Sequence, residues 1–299
     1  MGLVDSDRER GDRVAQEFGC RAFASVPDLL SAHREIQAAS VAVPTRYHLA
    51  VAQQLMEAGV DVLIEKPLVS SLDEANELSR LTEHLGRIVQ VGHLERFNPA
   101  VRATLPIVTR PMFFEVHRLS EFTPRSLDID VVLDLMIHDL DVVLSFVKSP
   151  VETIRAVGLP VLSDKVDIAN VRVEFESGCV ANFTASRVST ERVRKLRFFQ
   201  PRQYVSIDYG RQDVLVFSVG QDDPGATASV NPQIQVARLP AVAEEPLKAE
   251  LISFLECVRS RSQPRVSLND GRRALALALD IVRAIREHGS RLHLDEISS

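Results

Sequence analysis

The chain has 299 residues, 45% apolar and 25% charged, with a net charge of −6. This is the composition of a globular protein with room for two domains, and the absence of any block of like charge argues against nucleic acid or an acidic membrane surface as the main partner. No apolar run reaches membrane-spanning length, and Met1-Gly2-Leu3-Val4-Asp5 lacks the basic and apolar regions of a signal peptide. Cys20, Cys179 and Cys257 are few and far apart, which predicts reduced thiols in a cytoplasmic protein, not a disulfide or zinc framework.

Gly2 to Asp5 reads as a strand end already under way at the first residue. Arg8 to Phe18 reads as a helix closed by Gly19, where a left-handed residue is favoured. A short helix is expected over Val26 to Ala32 and a strand over Ala39 to Val43, stopped by Pro44. Tyr47 to Ala58 is helical, with Val51, Leu55 and Met56 at core spacing. Asp61-Val62-Leu63-Ile64-Glu65-Lys66-Pro67-Leu68 follows as a short buried strand that breaks into a carboxylate, an amine and a proline. Pro67 holds Lys66 in extended or turn geometry and makes a cis bond conceivable. Ser71 and Glu74 form a capping-box pattern for a helix to Leu85, and Ile88 to Val91 is the next strand. Alternation of this kind, with short links, means a parallel sheet with helices on its faces.

The pattern changes near residue 110. Met112 to Arg118 reads as a strand and Asp130 to Val147 as one long helix. Strands are then expected at 151–158, 168–175, 179–187, 193–199, 203–208 and 213–218. Glu176-Ser177-Gly178 is a hairpin signal. Val171, Val173 and Phe175 alternate with Asn170, Arg172 and Glu174, so one face is buried and the other is wet or lies in a polar subunit contact. A Gly/Asp/Pro loop is expected at 221–232, with two closing helices at about 247–260 and 270–287.

At 100° per residue, Asp130, Asp134, His138, Asp141 and Ser145 fall within roughly an 80° arc of the otherwise apolar helix. Asp134 and His138 are one turn apart, so a carboxylate can orient an imidazole. The same stripe also suits the solvent side of an amphipathic helix. A metal site is a third reading, which needs another His or carboxylate and is disfavoured by an adjacent lysine. Polar clusters follow two further strands: Pro44-Thr45-Arg46-Tyr47-His48 and His93-Leu94-Glu95-Arg96-Phe97-Asn98-Pro99. In an open parallel sheet the carboxyl ends of the strands are where ligands bind.

Glu65-Lys66-Pro67-Leu68, Val43-Pro44-Thr45-Arg46-Tyr47-His48, the run from Gly92 to Pro99 and Asp134-Leu135-Met136-Ile137-His138-Asp139 resemble the Gfo/Idh/MocA oxidoreductases over nearly the whole chain. The Glu-Arg-Phe-Asn-Pro-Ala and Met-Ile-His-Asp-Leu-Asp runs are most similar to the branch that oxidises the 3-hydroxyl of UDP-N-acetylglucosamine. The resemblance implies an α/β fold: a Rossmann domain, here residues 1–108, and a C-terminal α/β domain, residues 109–299, with a large, mostly antiparallel sheet. The final helices would pack back on the first domain. It also implies hydride transfer between a sugar or polyol carbon and nicotinamide, in a homo-oligomer.

By position, Lys66, Asp134 and His138 match the catalytic groups. His138 would take the hydroxyl proton, Lys66 would hold the same oxygen, and Asp134 would orient His138 or the substrate. Arg96, Asn98 and Asp141 would stand near the substrate. Pro44, Thr45, His48, Glu65 and Lys66 would line the cofactor. Asp5 would bind the adenosine ribose hydroxyls, favouring NAD over NADP because it repels a 2′-phosphate.

The chain departs from the family pattern in having no Gly-x-Gly-x-x-Gly. The first strand, phosphate loop and first helix are not in it, and the expectation is that the natural protein begins upstream. In the order 3-2-1-4-5-6 the first strand is central, so a gap of roughly 9–10 Å is expected between the second and fourth strands. The strand ending at Asp5 must then re-pair or lose its partner. Two further readings are a short chain that binds nicotinamide poorly and a non-catalytic relative that binds a sugar nucleotide or a partner protein.

Overall fold

The computed structural model describes residues 2–123, 129–220 and 234–291, so the loop expected at 221–232 lies outside the described residues. The chain divides into two compact units, residues 1–92 with 251–272 and residues 93–250 with 273–299.

The first unit opens with β1 (Gly2–Val4), α1 (Arg8–Phe18), β2 (Arg21–Phe23) and α2 (Val26–Ala32). It continues with β3 (Ala38–Val41), α3 (His48–Glu57), β4 (Asp61–Glu65), α4 (Leu72–Leu85) and β5 (Val89–Gly92). The helix limits follow from their caps. Gly19, at φ 61°, closes α1. Ser71 Oγ accepts the Glu74 N–H, and the Glu74 carboxylate accepts the Ser70 N–H. On β4, Val62, Leu63 and Ile64 are buried, as are Ala52, Leu55 and Met56 on α3 and Leu78 on α4. Val51, expected in the core, is half-buried, and Ala52 takes the inner position.

Strands β3, β4 and β5 form a parallel three-stranded sheet, while β1 pairs with β2 in a separate parallel pair. No strand bridges β1 and β3 among the described residues. The strand ending at Asp5 therefore keeps a partner, a three-residue strand that sequence periodicity does not reveal. Only Phe23 of β2 is buried, so neither alternation nor an apolar run marks it.

The second unit contains α5 (Pro99–Thr104), β6 (Phe113–Leu119), a π turn at Val132–Met136 and α6 (Ile137–Phe146). Its strands continue with β7 (Val151–Leu159), β8 (Ile168–Phe175), β9 (Val180–Ser186) and β10 (Val193–Gln200). Next come β11 (Gln203–Asp208), β12 (Asp213–Val219) and β13 (Ile234–Arg238). Helices α7 (Pro246–Ser260) and α8 (Leu268–Arg291) close the described chain. The eight strands run in the order β13-β12-β11-β10-β6-β9-β8-β7, all antiparallel except β6 with β9.

The inner face of this sheet supplies Phe114, Phe183, Phe198 and Ile207 to a core shared with Val132, Met136, Ile137 and Leu140. The outer face is less polar than the β8 pattern implies. Phe113, Phe199, Tyr204 and Phe217 form a cross-strand aromatic row with ring centroids 4.9–5.7 Å apart. Among the described residues, no helix is long and apolar enough to cross a membrane.

The single helix expected over 130–147 is corrected by the π turn. Its i→i+5 bonds add one residue to a turn, with Ile137 N–H donating to Val132 C=O. The uniform 100° spacing that put Asp134 and His138 on one arc does not hold across it. The entry to this turn is braced by the β7–β8 link. The Val131 N–H donates to Val166 C=O at 2.9 Å, and the Val166 N–H donates to Asp130 Oδ1 at 3.1 Å. The link is shaped by Asp167, whose buried carboxylate accepts the N–H groups of Val161, Leu162 and Ser163 and the Ser163 hydroxyl at 2.6–2.9 Å. Burial alone would raise this carboxyl, but these donors outweigh it and hold it below the ordinary carboxylate range.

Candidate active site

The carboxyl ends of β3, β4 and β5 carry the expected polar groups of the first unit. Thr45 is half-buried in a 3₁₀ turn, Thr45–Tyr47, that follows β3 and exposed Pro44. Glu65 and Lys66 are half-buried at the end of β4, and the Lys66–Pro67 peptide is cis. The Glu65 carboxylate folds back to accept the Lys66 N–H at 3.2 Å. Gly92 makes room for it: a Cβ there would stand 3.1 Å from both the Glu65 backbone and its carboxylate.

His48 is buried among backbone carbonyls. Nδ1 lies 3.0 Å from Pro67 O and 3.1 Å from Leu68 O, and Nε2 lies 2.8 Å from Val43 O. The ring thus sits between the β3 end and the turn after β4, its protonated nitrogen donating to the carbonyls on its side, and the expected cofactor-lining residue holds the lining in shape. At the end of β1, Asp5 is ion-paired with Arg10, whose hydrogen bonds keep its carboxyl below the ordinary range.

In the second unit, Asp134 lies in the π turn and His138 at the start of α6, both half-buried. A 3₁₀ turn, Leu94–Phe97, presents Arg96, whose Nη1 is 3.3 Å from Asp141 Oδ1 on α6. Asp141 is therefore paired with Arg96 and is 2% exposed. Asn98 does not stand open to a substrate. Its amide donates to Glu95 Oε2 and Tyr209 O, both at 3.1 Å, and its oxygen caps α5 by accepting the Ala100 N–H. Ser145 Oγ donates to Val142 C=O, and Asp130 accepts from Val166, so these two members of the polar stripe serve the fold.

Sequence reasoning passed over Arg118. It occupies the inward position after Phe114 and Val116 on β6, where alternation calls for an apolar side chain. Its guanidinium takes Asp139 through Nε at 2.6 Å and Nη2 at 3.0 Å, takes Glu95 at 3.1 Å, and lies over the Tyr209 ring. Burial works against this charge, yet the two carboxylates together outweigh it and hold the guanidinium above its ordinary value. Asp139, next to His138 in the chain, is this ion pair's buried partner. The signal in the sequence was an arginine at the third inward position of an alternating strand.

The residues suit a nicotinamide dinucleotide at its two ends. Asp5 supplies carboxylate acceptors where a ribose diol would bind, and Thr45, Glu65 and Lys66 supply polar groups at the ends of β3 and β4. The described residues add no glycine-rich cradle for the pyrophosphate. No group of three or more His, Cys, Asp and Glu suited to a metal ion occurs among them.

Residues 1–93 match the Gfo/Idh/MocA oxidoreductase family with its NAD-binding Rossmann fold, and residues 101–205 match the family's C-terminal domain. UDP-N-acetylglucosamine 3-dehydrogenase from Acidithiobacillus ferrooxidans is 36% identical over 286 residues, 95% of this chain and 89% of that protein. The solved structure of that enzyme, GnnA, superposes with a TM-score of 0.86 at 35% identity, over 95% of this chain and 89% of the other. The scyllo-inositol 2-dehydrogenase (NAD(+)) of Bacillus subtilis is 26% identical, covering 97% of this chain and 87% of the relative. The likeness to GnnA runs through both units, so this chain belongs to the Gfo/Idh/MocA family of oxidoreductases.

Proposed function

We propose that the protein is an NAD-dependent dehydrogenase of a sugar-nucleotide hydroxyl, with UDP-N-acetylglucosamine oxidised at C3 as the reaction. The observation that carries this reading is the graded likeness across comparable lengths: 36% to the UDP-N-acetylglucosamine enzyme against 26% to the scyllo-inositol enzyme. The alternative of a non-catalytic binding module is not favoured, since both relatives are dehydrogenases.

The nicotinamide, when bound, supplies the hydride acceptor. Lys66 holds the reacting hydroxyl oxygen and stabilises its developing negative charge. His138 takes the hydroxyl proton on its imidazole, and Asp134 orients that ring or the substrate. Arg96, aligned by Asp141, contacts the substrate. Asp5 binds the adenosine ribose, while Pro44, Thr45 and Glu65 line the cofactor over the frame held by His48. The aromatic row on the outer face of the large sheet supports a homo-oligomer, because Phe199 and its neighbours gain from being covered. Cytoplasmic residence is part of the same reading.

The test has two stages on the 299-residue chain. NADH fluorescence is titrated first, and a chain that gives no change at millimolar cofactor is not an active dehydrogenase. UDP-N-acetylglucosamine, inositols and free aldoses are then compared by the absorbance of reduced nicotinamide. Turnover of inositol or aldose with none of the UDP-sugar would overturn the substrate assignment.

A further inference from the structure

Two segments of the second unit are clasped together twice. Glu95 and Asp139 meet on the Arg118 guanidinium, and the next residues outward, Arg96 and Asp141, pair directly. Glu95 immediately precedes Arg96, and Asp139 immediately follows His138. The clasp therefore sits behind two side chains that the proposed function sets against the substrate. Tyr209 and Asn98 close it off: the tyrosine ring lies under the guanidinium, and the Asn98 amide donates to Glu95 and to Tyr209 C=O.

Stability alone is a weak reason for such a cluster. Burying three charges costs desolvation, and an apolar replacement of a buried ionic triad is often neutral or stabilising. Fixed direction is what the charges supply. Arg118 offers a planar fork whose Nε and Nη2 both hold Asp139, while Nη2 also reaches Glu95, and a lysine cannot hold two carboxylates in that geometry.

We propose that Arg118 is a positioning residue for the reaction, holding Arg96 through Glu95 and His138 through Asp139 in one fixed arrangement. This rests on the dehydrogenase reading. The two arms make separable demands. The Glu95 arm aligns a substrate-binding side chain, so its loss acts on KM. The Asp139 arm aligns the proton acceptor, so its loss acts on kcat.

The experiment compares Glu95→Gln, Asp139→Asn and Arg118→Lys, each with its circular dichroism and thermal melt, in steady-state assays with NAD and the UDP-sugar. Glu95→Gln should raise KM about tenfold and leave kcat within about twofold, as removal of uniform binding does. Asp139→Asn should lower kcat about tenfold with little change in KM, and Arg118→Lys should do both. Parallel losses in kcat and KM that track the melting temperature would overturn the positioning role, as would folded variants with parental constants.

A second readout needs no turnover. The His138 ring nitrogen signals, assigned by their loss in His138→Gln, should shift in Asp139→Asn and Arg118→Lys and stay in place in Glu95→Gln. Unchanged His138 signals in folded Arg118→Lys and Asp139→Asn refute the clasp even if the protein proves inactive on every sugar. An inactive parent with the expected shifts refutes only the dehydrogenase reading.

Discussion

Arg10 grips the carboxylate of Asp5 at two points, Nε to Oδ2 at 2.6 Å and Nη2 to Oδ1 at 2.7 Å, while the Asp7 N–H takes Oδ1 at 2.9 Å. A carboxylate has about four acceptor sites, so three are already used. Arg10 also offsets the charge that would repel a 2′-phosphate. Arg10→Ala should therefore widen the preference for NADH over NADPH by a few-fold, and Asp5→Ser should narrow it. Fluorescence titration of both cofactors reads the ratio, and the Arg10 effect should fade as salt rises. An unchanged ratio in both variants would remove Asp5 from cofactor choice.

Lys66→Ala and His138→Ala should each leave the fold intact and lower kcat by about 10²–10⁴-fold, the range for loss of an oxyanion donor or a general base. Asp134→Asn should cost less than His138→Ala. The reverse order would make Asp134 the base, and near-normal turnover in both alanine variants would end the assignment.

His48→Phe should be a stability variant. It removes the ring N–H from the buried carbonyls around it, at an expected cost of about 1–3 kcal/mol in urea unfolding. Full stability with lost cofactor affinity would instead make the ring a direct ligand.

Asp167→Asn tests the link that braces the π turn. The native carboxyl lies below its unfolded value, so its contribution is complete above the unfolded pKa, about 3.9, and is lost as pH falls through the native value. At neutral pH the variant should be less stable by about 1.5–3 kcal/mol, the scale of hydrogen bonds to a charged group. That gap should narrow below about pH 4. Urea melts at neutral and acid pH check it, and a pH-independent gap would point to packing instead.

Most of the architecture was legible because its signals are local. Caps such as Ser71 and Gly19 fix helix limits, and alternation in β8 fixes a strand face. β2 gave no signal because three residues with one buried side chain fit any period. The π turn was hidden because Val131, Val132, Leu133, Leu135, Met136 and Ile137 run through it, and an apolar run carries no phase. Asn98 and His48 were read as facing ligands because the sequence does not show which carbonyls surround them. Lys66, Asp134 and His138 stand out as candidates because a strand end closed by a proline and a narrow polar stripe are both visible in one dimension, and the family resemblance supplies their roles.

The bonding of residues 132–136 holds one residue more than an ordinary helical turn, so the helix before His138 responds differently to losing a residue and to gaining one. Deleting Leu135 would let the segment wind with ordinary α turns and keep its apolar character, so the protein would still collapse around it. Because the π turn carries one residue more than an α turn, removing one would leave Asp134 and His138 on nearly the same bearing. Fold and turnover should both survive that deletion, whereas a residue inserted there would have no surplus to replace and would offset the two side chains by about 100°.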